Sequence, residues 1–502
     1  MKSTKKPLIL KIIIIICLLL SQPVLSNAQS QKLPIDLTIN SGIATFSGEI
    51  NGIKVGEKGF NPFKITYQSL LSGDLMIYDI PVRKDGSFSM KIPVESVVFV
   101  SVESDFYNGI YCLISGEETK LNISVDNDQK KQIRFKNSIG FTADDAEKVG
   151  TWPFEVPKIG LEIVSPEVYS QKKINGMQEL LKSIDNDKKL SALSKQIIAS
   201  IEKFATLFHS LLKYDSFIID AYKAQNKTDK VPDDFHPQVP DKSYYSFLKY
   251  FNLNDPIYIS TGFYPMILKE ILNNEMLAIP DIKEQPVDEW LMKVKAIMKD
   301  KISTDSGIIY DLIAQYSFIK QLNYANPLSE IQKKNIKTYF KNRSFADALF
   351  VKNEKVLKQS GNKANIHEIS GTSERMMDSI INKYNGKVVF VDFWATWCTP
   401  CLKAMNESEI VRKEFENKDV VFLYLTDHSS PKKNWEQKIP EIGGEQYYVT
   451  NEQMDYLYKT FKFSAIPHYL IYDKRGTLKY NYHTFMGIEN MRKWIDETLR
   501  IN

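Results

Sequence analysis

The sequence is poor in cysteine and histidine, with four of the first and six of the second in 502 residues. So few cysteines exclude a disulfide-stapled scaffold, and no second cysteine pair or paired-histidine spacing supplies the four ligands of a structural zinc site. An excess of one charge is missing too. The chain has 65 basic and 61 acidic residues, a net charge of +4, and Lys2, Lys5, Lys6 and Lys11 all fall in a short N-terminal leader. Neither nucleic acid nor an acidic surface is expected as a partner. No repeat of fixed length is present, which argues against a solenoid.

The leader itself is informative. After its lysines, Ile12 to Leu20 is wholly apolar, and Ser26-Asn27-Ala28 places small residues at the two positions a signal peptidase reads. Cleavage after Ala28 is expected. A membrane anchor would need roughly 20 apolar residues, and this run breaks at Ser21-Gln22-Pro23, so no stable membrane insertion is expected after cleavage. Cys17 has no small residues before it, unlike a lipid-attachment cysteine, and leaves with the leader. The mature chain is long enough for two to four domains, and 43% hydrophobic residues suffice for their cores.

Three regions follow. Residues 29–150 read as short strands between turn signals: Gly42 to Gly48, Phe63 to Tyr67, Ser87 to Ile92, Ser96 to Val102 and Lys120 to Val125. Alternation is clear in Ser87 to Ile92, and Lys84-Asp85-Gly86 before it is a turn of the hairpin kind. A small antiparallel β-sandwich is expected, with Cys112 as a buried small hydrophobe on one strand.

Residues 151–360 change to helical periodicity. Leu193, Ile197, Ile201, Phe204 and Phe208 share one face, as do Met177, Leu180, Leu181 and Ile184. Val287 to Met298, Ile308 to Leu322 and Ser329 to Phe340 repeat the pattern. His209 and His236 lie here without metal or catalytic spacing, and Ala224 to Asp234 reads as a surface loop.

Residues 361–502 alternate strand and helix, which indicates an α/β domain with a parallel core and an antiparallel edge hairpin. Its first long strand ends in Trp394-Ala395-Thr396-Trp397-Cys398-Thr399-Pro400-Cys401, and a helix from Cys398 to Phe415 is expected after it. Cys398 then stands where helix N–H groups lack partners and the dipole is positive. A thiolate there is stabilised, which makes Cys398 the attacking nucleophile. Cys401, one turn on and on the same side, is placed to resolve a mixed disulfide. A static structural disulfide is the other reading, although so short a loop brings little chain-entropy gain. Asp392, on an otherwise apolar strand, is either a buried proton acceptor for Cys401 or a strand-end carboxylate that meets water.

From about Asn365 onward the chain resembles the thioredoxin fold, and specifically the TlpA-like periplasmic thiol-disulfide oxidoreductases. The resemblance rests on Trp394 to Cys401, on Ile466-Pro467 downstream and on the turn Tyr472 to Gly476. It implies a cis Pro467 beside the cysteines, with Trp397, Ile466 and Pro467 binding an extended protein substrate. It implies no cofactor and no metal. Protein thiols and disulfides and a membrane electron donor become the expected partners, and the periplasm the expected location. Asp392 matches the buried aspartate of thioredoxin, whereas Tyr424 stands where its lysine partner would be. The resulting expectation is a multidomain chain with an N-terminal β-sandwich, a central α-helical region and a C-terminal thioredoxin-like α/β fold that reduces disulfides. The alternative is a cell-envelope binding protein carrying an auxiliary redox domain.

Overall fold

The computed structural model describes residues 38–52, 63–126, 130–153, 163–228, 231–232, 235–324, 326–359, 364–367 and 373–501. The leader, with Cys17 and the expected cleavage point, lies outside them, as does Ser370-Gly371-Thr372. Among the described residues no helix is long and apolar enough to cross a membrane. The chain divides into two compact units, one of residues up to Lys320 with Ser329–Phe350, the other of Gln321–Leu328 with Val351–Asn502.

The first unit opens with eight strands: β1 (Gly42–Asn51), β2 (Phe63–Gln68), β3 (Leu75–Ile80), β4 (Ser87–Val94), β5 (Val97–Glu103), β6 (Asn108–Ile114), β7 (Glu118–Val125) and β8 (Lys131–Lys136). They form two four-stranded sheets ordered β4-β1-β7-β8 and β3-β2-β5-β6. Inward residues such as Phe46, Phe63, Ile65, Tyr111 and Leu121 make the core of the sandwich. The sandwich is not purely antiparallel, because β1 and β7 pair in parallel. Strands β5 and β6 belong to the other sheet, so the chain returns to β1 from outside and can run beside it in the same direction. At this pairing Gly48 lies opposite Leu121, and a Cβ on it would fall 1.9 Å from the Leu121 carbonyl oxygen. The turn at Lys84 to Gly86 forms, with Gly86 at φ +85°, but it carries the chain from one sheet to the other and does not close a hairpin. Strands β3 and β8 went unrecognised in the sequence. Both are edges, and Lys131, Arg134 and Lys136 break up the apolar pattern of β8, as edge strands often require.

Cys112 is a free, fully buried thiol on β6. With Val97, Phe99 and Ile114 it packs against Phe141, Ile197 and Ile201, so the sandwich and the helical region share a core within one unit. Burial pushes its thiol pKa up, in keeping with an inert side chain. Helices occupy Val287–Met298, Ile308–Asn323 and Glu330–Tyr339, close to their expected ranges. Ser329 caps the third in a reciprocal capping box with Gln332. Helices Tyr264–Asn273 and Arg343–Gln359 were not foreseen. The presumed loop at Ala224 is helical as far as Asn226. His209 is half-buried in a π-helical turn, Thr206–Ser210, and His236 is exposed.

The second unit is an α/β layer structure. Its sheet joins β9 (Ala364–His367), β10 (Val388–Phe393), β11 (Val420–Asp427), β12 (Gly444–Val449), β13 (His468–Tyr472) and β14 (Leu478–His483) in the order β14-β13-β10-β11-β12-β9. Strands β9 to β12 are parallel, while β13 and β14 form the antiparallel edge hairpin. β10 is buried along its whole length, as a strand covered on both faces must be. Val389, Val391 and Phe393 face helices Ser373–Asn382 and Asn451–Phe461, whereas Val388 and Phe390 face the helices Glu409–Phe415 and Ile488–Leu499. The single helix expected from Cys398 to Phe415 is two, Thr399–Glu407 and Glu409–Phe415. Ser408 breaks it: its hydroxyl donates to the Met405 carbonyl, and its own conformation, φ −81° and ψ −2°, ends one helix and starts the next.

Candidate active site

The sequence places a strand, a short turn and a Pro-containing helix start in succession, and the structure turns this into a fixed corner. The backbone N–H of Trp394 donates to Leu425 of the adjacent strand at 3.0 Å, and that of Cys398 to Ala395 at 3.0 Å. Cys398 is the N-cap of helix Thr399–Glu407, and its Sγ accepts the backbone N–H of Cys401 at 3.2 Å. Pro400 sits in the first turn, where a missing N–H costs nothing. Cys398 and Cys401 are joined by a disulfide. Cys401 is fully buried and Cys398 is 3% exposed.

Around them packs a small apolar cluster of Trp394, Ala395, Met405, Tyr424, Trp435 and Ile439, with Ile466 against its side. The Ile466-Pro467 peptide is cis, as expected from the resemblance. Trp397 stands apart from this burial. The residue is 61% exposed, and its indole N–H donates to Ser429 Oγ at 3.1 Å. The Ser429 backbone N–H in turn donates to Asp427 Oδ1 at 3.0 Å.

Two of the residues that hold this corner were not singled out in the sequence. The Ser430 hydroxyl accepts the Thr396 backbone N–H at 2.9 Å and shares a 2.8 Å hydrogen bond with Thr426 Oγ1, and both side chains are fully buried. Tyr448 donates to the Ser430 carbonyl at 2.6 Å. The available signal was positional: Thr426 to Pro431 leaves the C-terminal end of the strand next to β10, where sites in parallel sheets are usually built.

Asp392 does not meet water. It is 4% exposed, and its Oδ1 accepts no hydrogen bond among the described residues. On β10 it alternates with Val391 and Phe393, so it shares the face of Val388 and Phe390, which packs on helices Glu409–Phe415 and Ile488–Leu499. Its direct neighbours across the sheet are Tyr424 on β11 and Tyr469 on β13. Burial pushes the Asp392 carboxyl pKa well above the usual range, and the charge of Arg412 opposes that rise. No lysine occupies the place of Tyr424, and the positive charge comes instead from a helix.

Residues 385–478 match the thioredoxin-like family Thioredoxin_8. Among curated proteins the chain is similar to the thiol-disulfide oxidoreductase ResA of Geobacillus thermodenitrificans, 27% identical over 114 residues, which is 23% of this chain and 62% of that one. It is 29% identical over 115 residues to ResA of Geobacillus kaustophilus, covering 22% of this chain and 60% of that one. The chain therefore spans about three-fifths of the length of these relatives. A putative thiol-disulfide oxidoreductase from Bacteroides vulgatus, known by crystal structure, is 25% identical with a TM-score of 0.20, over 23% of this chain and 82% of that one. The C-terminal unit thus carries a thioredoxin-like α/β domain, while these three relatives cover less than a quarter of the chain.

Proposed function

We propose that the chain is a TlpA-like thiol-disulfide oxidoreductase that acts on protein substrates in the periplasm. The observation that carries this reading is the Cys398–Cys401 pair: a disulfide at a helix N-cap, with Cys398 Sγ accepting the Cys401 N–H. Once the pair is reduced, the same N–H and the helix dipole stabilise a Cys398 thiolate. That thiolate attacks a substrate disulfide, one substrate sulfur leaves as a thiolate, and a mixed disulfide forms. Asp392 accepts the Cys401 proton. The Cys401 thiolate then attacks Cys398 Sγ, the second substrate sulfur leaves, and two electrons have passed from the dithiol to the substrate. On this reading Trp397, Ile466 and Pro467 hold the extended substrate segment, and Ile466, which packs against the cysteine cluster, supports it.

On this reading residues 1–28 are a cleaved signal peptide, residues 29–150 and 151–360 are accessory domains, and residues 361–502 carry the activity. A membrane electron donor restores the dithiol. Insulin-disulfide reduction by the full chain, abolished by Cys398→Ser, is the first test. The variant Cys401→Ser is expected to retain substrates as mixed disulfides on Cys398. Equilibration with glutathione fixes the direction of electron flow: a potential near the oxidising end of the ~−270 to −120 mV range would overturn the reductase reading.

A second reading, a cell-envelope binding protein with an auxiliary redox domain, draws on an open cavity of about 570 Å³ in the first unit, lined by Ile39, Leu291, Lys295, Tyr310, Asp311 and Tyr339. A cellular phenotype unchanged by Cys398→Ser would favour it.

A further inference from the structure

Taking Asp392 as the acceptor of the Cys401 proton leaves a physical difficulty. A carboxylate that is fully enclosed and lacks a hydrogen bond at one oxygen strongly prefers to stay protonated. A base that cannot ionise near neutral pH is of little use to the resolving step.

The charged and titratable groups that face it are few. Tyr424 and Tyr469 flank it across the sheet in register, 2% exposed each. Cys401 approaches from helix Thr399–Glu407 through the cluster that it shares with Tyr424 and Met405. Glu407, exposed and paired with Lys403 at 3.4 Å, acts on Tyr469 from the end of the same helix. The remaining group is Arg412, half-buried on helix Glu409–Phe415. Its Nη1 donates to the Met405 carbonyl at 2.7 Å and to Ser408 Oγ at 3.1 Å. The guanidinium is thereby pinned at the break between the two helices, against the residue that packs on Tyr424 and Cys401. Tyr424, which packs with Met405 and Cys401, carries the link to the strand next to Asp392.

We propose that Arg412, held by Met405 and Ser408, is the positioning residue of this site, supplying the positive charge that favours an ionised Asp392 as acceptor of the Cys401 proton. The helix break at Ser408 has a consequence here, because it turns the Arg412 side chain back beneath the cysteine helix. In the reaction, the proton moves from Cys401 Sγ to the Asp392 carboxylate and then to solvent. Arg412 forms no bond to substrate. The Tyr424 hydroxyl pKa, pushed up to about 12 chiefly by burial, stays far enough from neutrality for that group to remain a hydrogen-bonding phenol throughout.

The test rests on separating the two sulfur steps. Reduced full-length protein is mixed with one equivalent of dithiobis-nitrobenzoate in a stopped-flow instrument across a range of pH. The first coloured thiolate reports attack by Cys398, and the second reports resolution by Cys401. Arg412→Met is expected to displace the pH midpoint of the second phase by about one unit to the alkaline side, the size of shift a neighbouring opposite charge produces, and to leave the first phase unchanged. Arg412→Lys, which keeps the charge, is expected to reverse most of that shift. Ser408→Ala, which removes one of the two bonds that hold the guanidinium but leaves its charge in place, is expected to give a smaller shift in the same direction as Arg412→Met. A second-phase profile in Arg412→Met that coincides with wild type overturns the inference. So does an equal slowing of both phases that Arg412→Lys fails to relieve, which would mark Arg412 as only holding the helices together. Asp392→Asn distinguishes the two levels of the argument: a second phase unchanged in that variant removes Asp392 as the base and this inference with it. A second phase slowed by Asp392→Asn but untouched by Arg412→Met removes the inference alone.

Discussion

The Sγ of Cys398 accepts the backbone N–H of Cys401 at 3.2 Å, at the residue that caps helix Thr399–Glu407, while the sulfur of Cys401 itself is fully buried. The two thiols of the reduced protein are therefore expected to react unequally. Iodoacetamide is expected to modify Cys398 first, with a pH midpoint on the acid side of the ~8.5 of an ordinary thiol. Peptide mass mapping after partial alkylation checks this. Modification of Cys401 ahead of Cys398 would contradict it.

Asp392 makes the oxidised protein less stable than it could be. Its folded-state pKa lies above the unfolded value because of burial, so the unfolded chain ionises at lower pH than the folded one and stability falls as pH rises between the two values. Asp392→Asn removes this linkage and is expected to stabilise the oxidised protein at neutral pH by about 1.4 kcal/mol for each pH unit over which the folded and unfolded chains differ in charge. That gain should vanish below pH ~4, where aspartate is protonated in both states. Urea denaturation at the two pH values measures it.

His468 works in the opposite direction. It is fully buried, stacked on Phe463 with ring centres 3.9 Å apart, and its Nδ1 lies 3.1 Å from His483 Nδ1. Burial first, and His483 second, lower its pKa to about 4. The stability this contributes is present above the unfolded value near 6.5 and is lost as pH falls towards 4, up to about 3 kcal/mol. His468→Phe is expected to flatten that part of the pH–stability curve, as followed by thermal melting of the oxidised protein.

Gly48 tests the parallel pairing in the sandwich. A methyl group there would meet the Leu121 carbonyl at 1.9 Å, a backbone atom that cannot swing away. Gly48→Ala is expected to cost about 3 kcal/mol, at the upper end for overpacking a core, with the redox reaction of the C-terminal unit unaltered.

Ser430 is the cheapest probe of the corner that holds the motif. Ser430→Ala leaves the part-buried Thr396 N–H and the fully buried Thr426 hydroxyl without this partner. A loss of about 1–3 kcal/mol is expected, together with slower attack by Cys398, measured in the same stopped-flow experiment.

What could be read from the sequence was whatever is governed by local rules. Alternation and 3.6-residue periodicity located most strands and helices, Val287–Met298 to the residue, because those patterns reflect which side of one element is buried. The Cys398–Cys401 spacing and Pro400 specified the helix start for the same reason, since capping involves only neighbours in the chain. Asp392 on an apolar strand was visible as a candidate, but whether it met water or protein was not. Its burial depends on β11, β13 and two helices closing over it, and its counter-charge comes from Arg412, which no spacing rule ties to position 392. The edge strands β3 and β8, the parallel β1–β7 pair and the helix break at Ser408 likewise depend on which distant segments pack together. Local patterns in the chain were enough to locate the cysteine pair and the order of elements. The surroundings of that pair came from the fold, because burial and charge around a carboxylate are set by contacts between segments far apart in the chain.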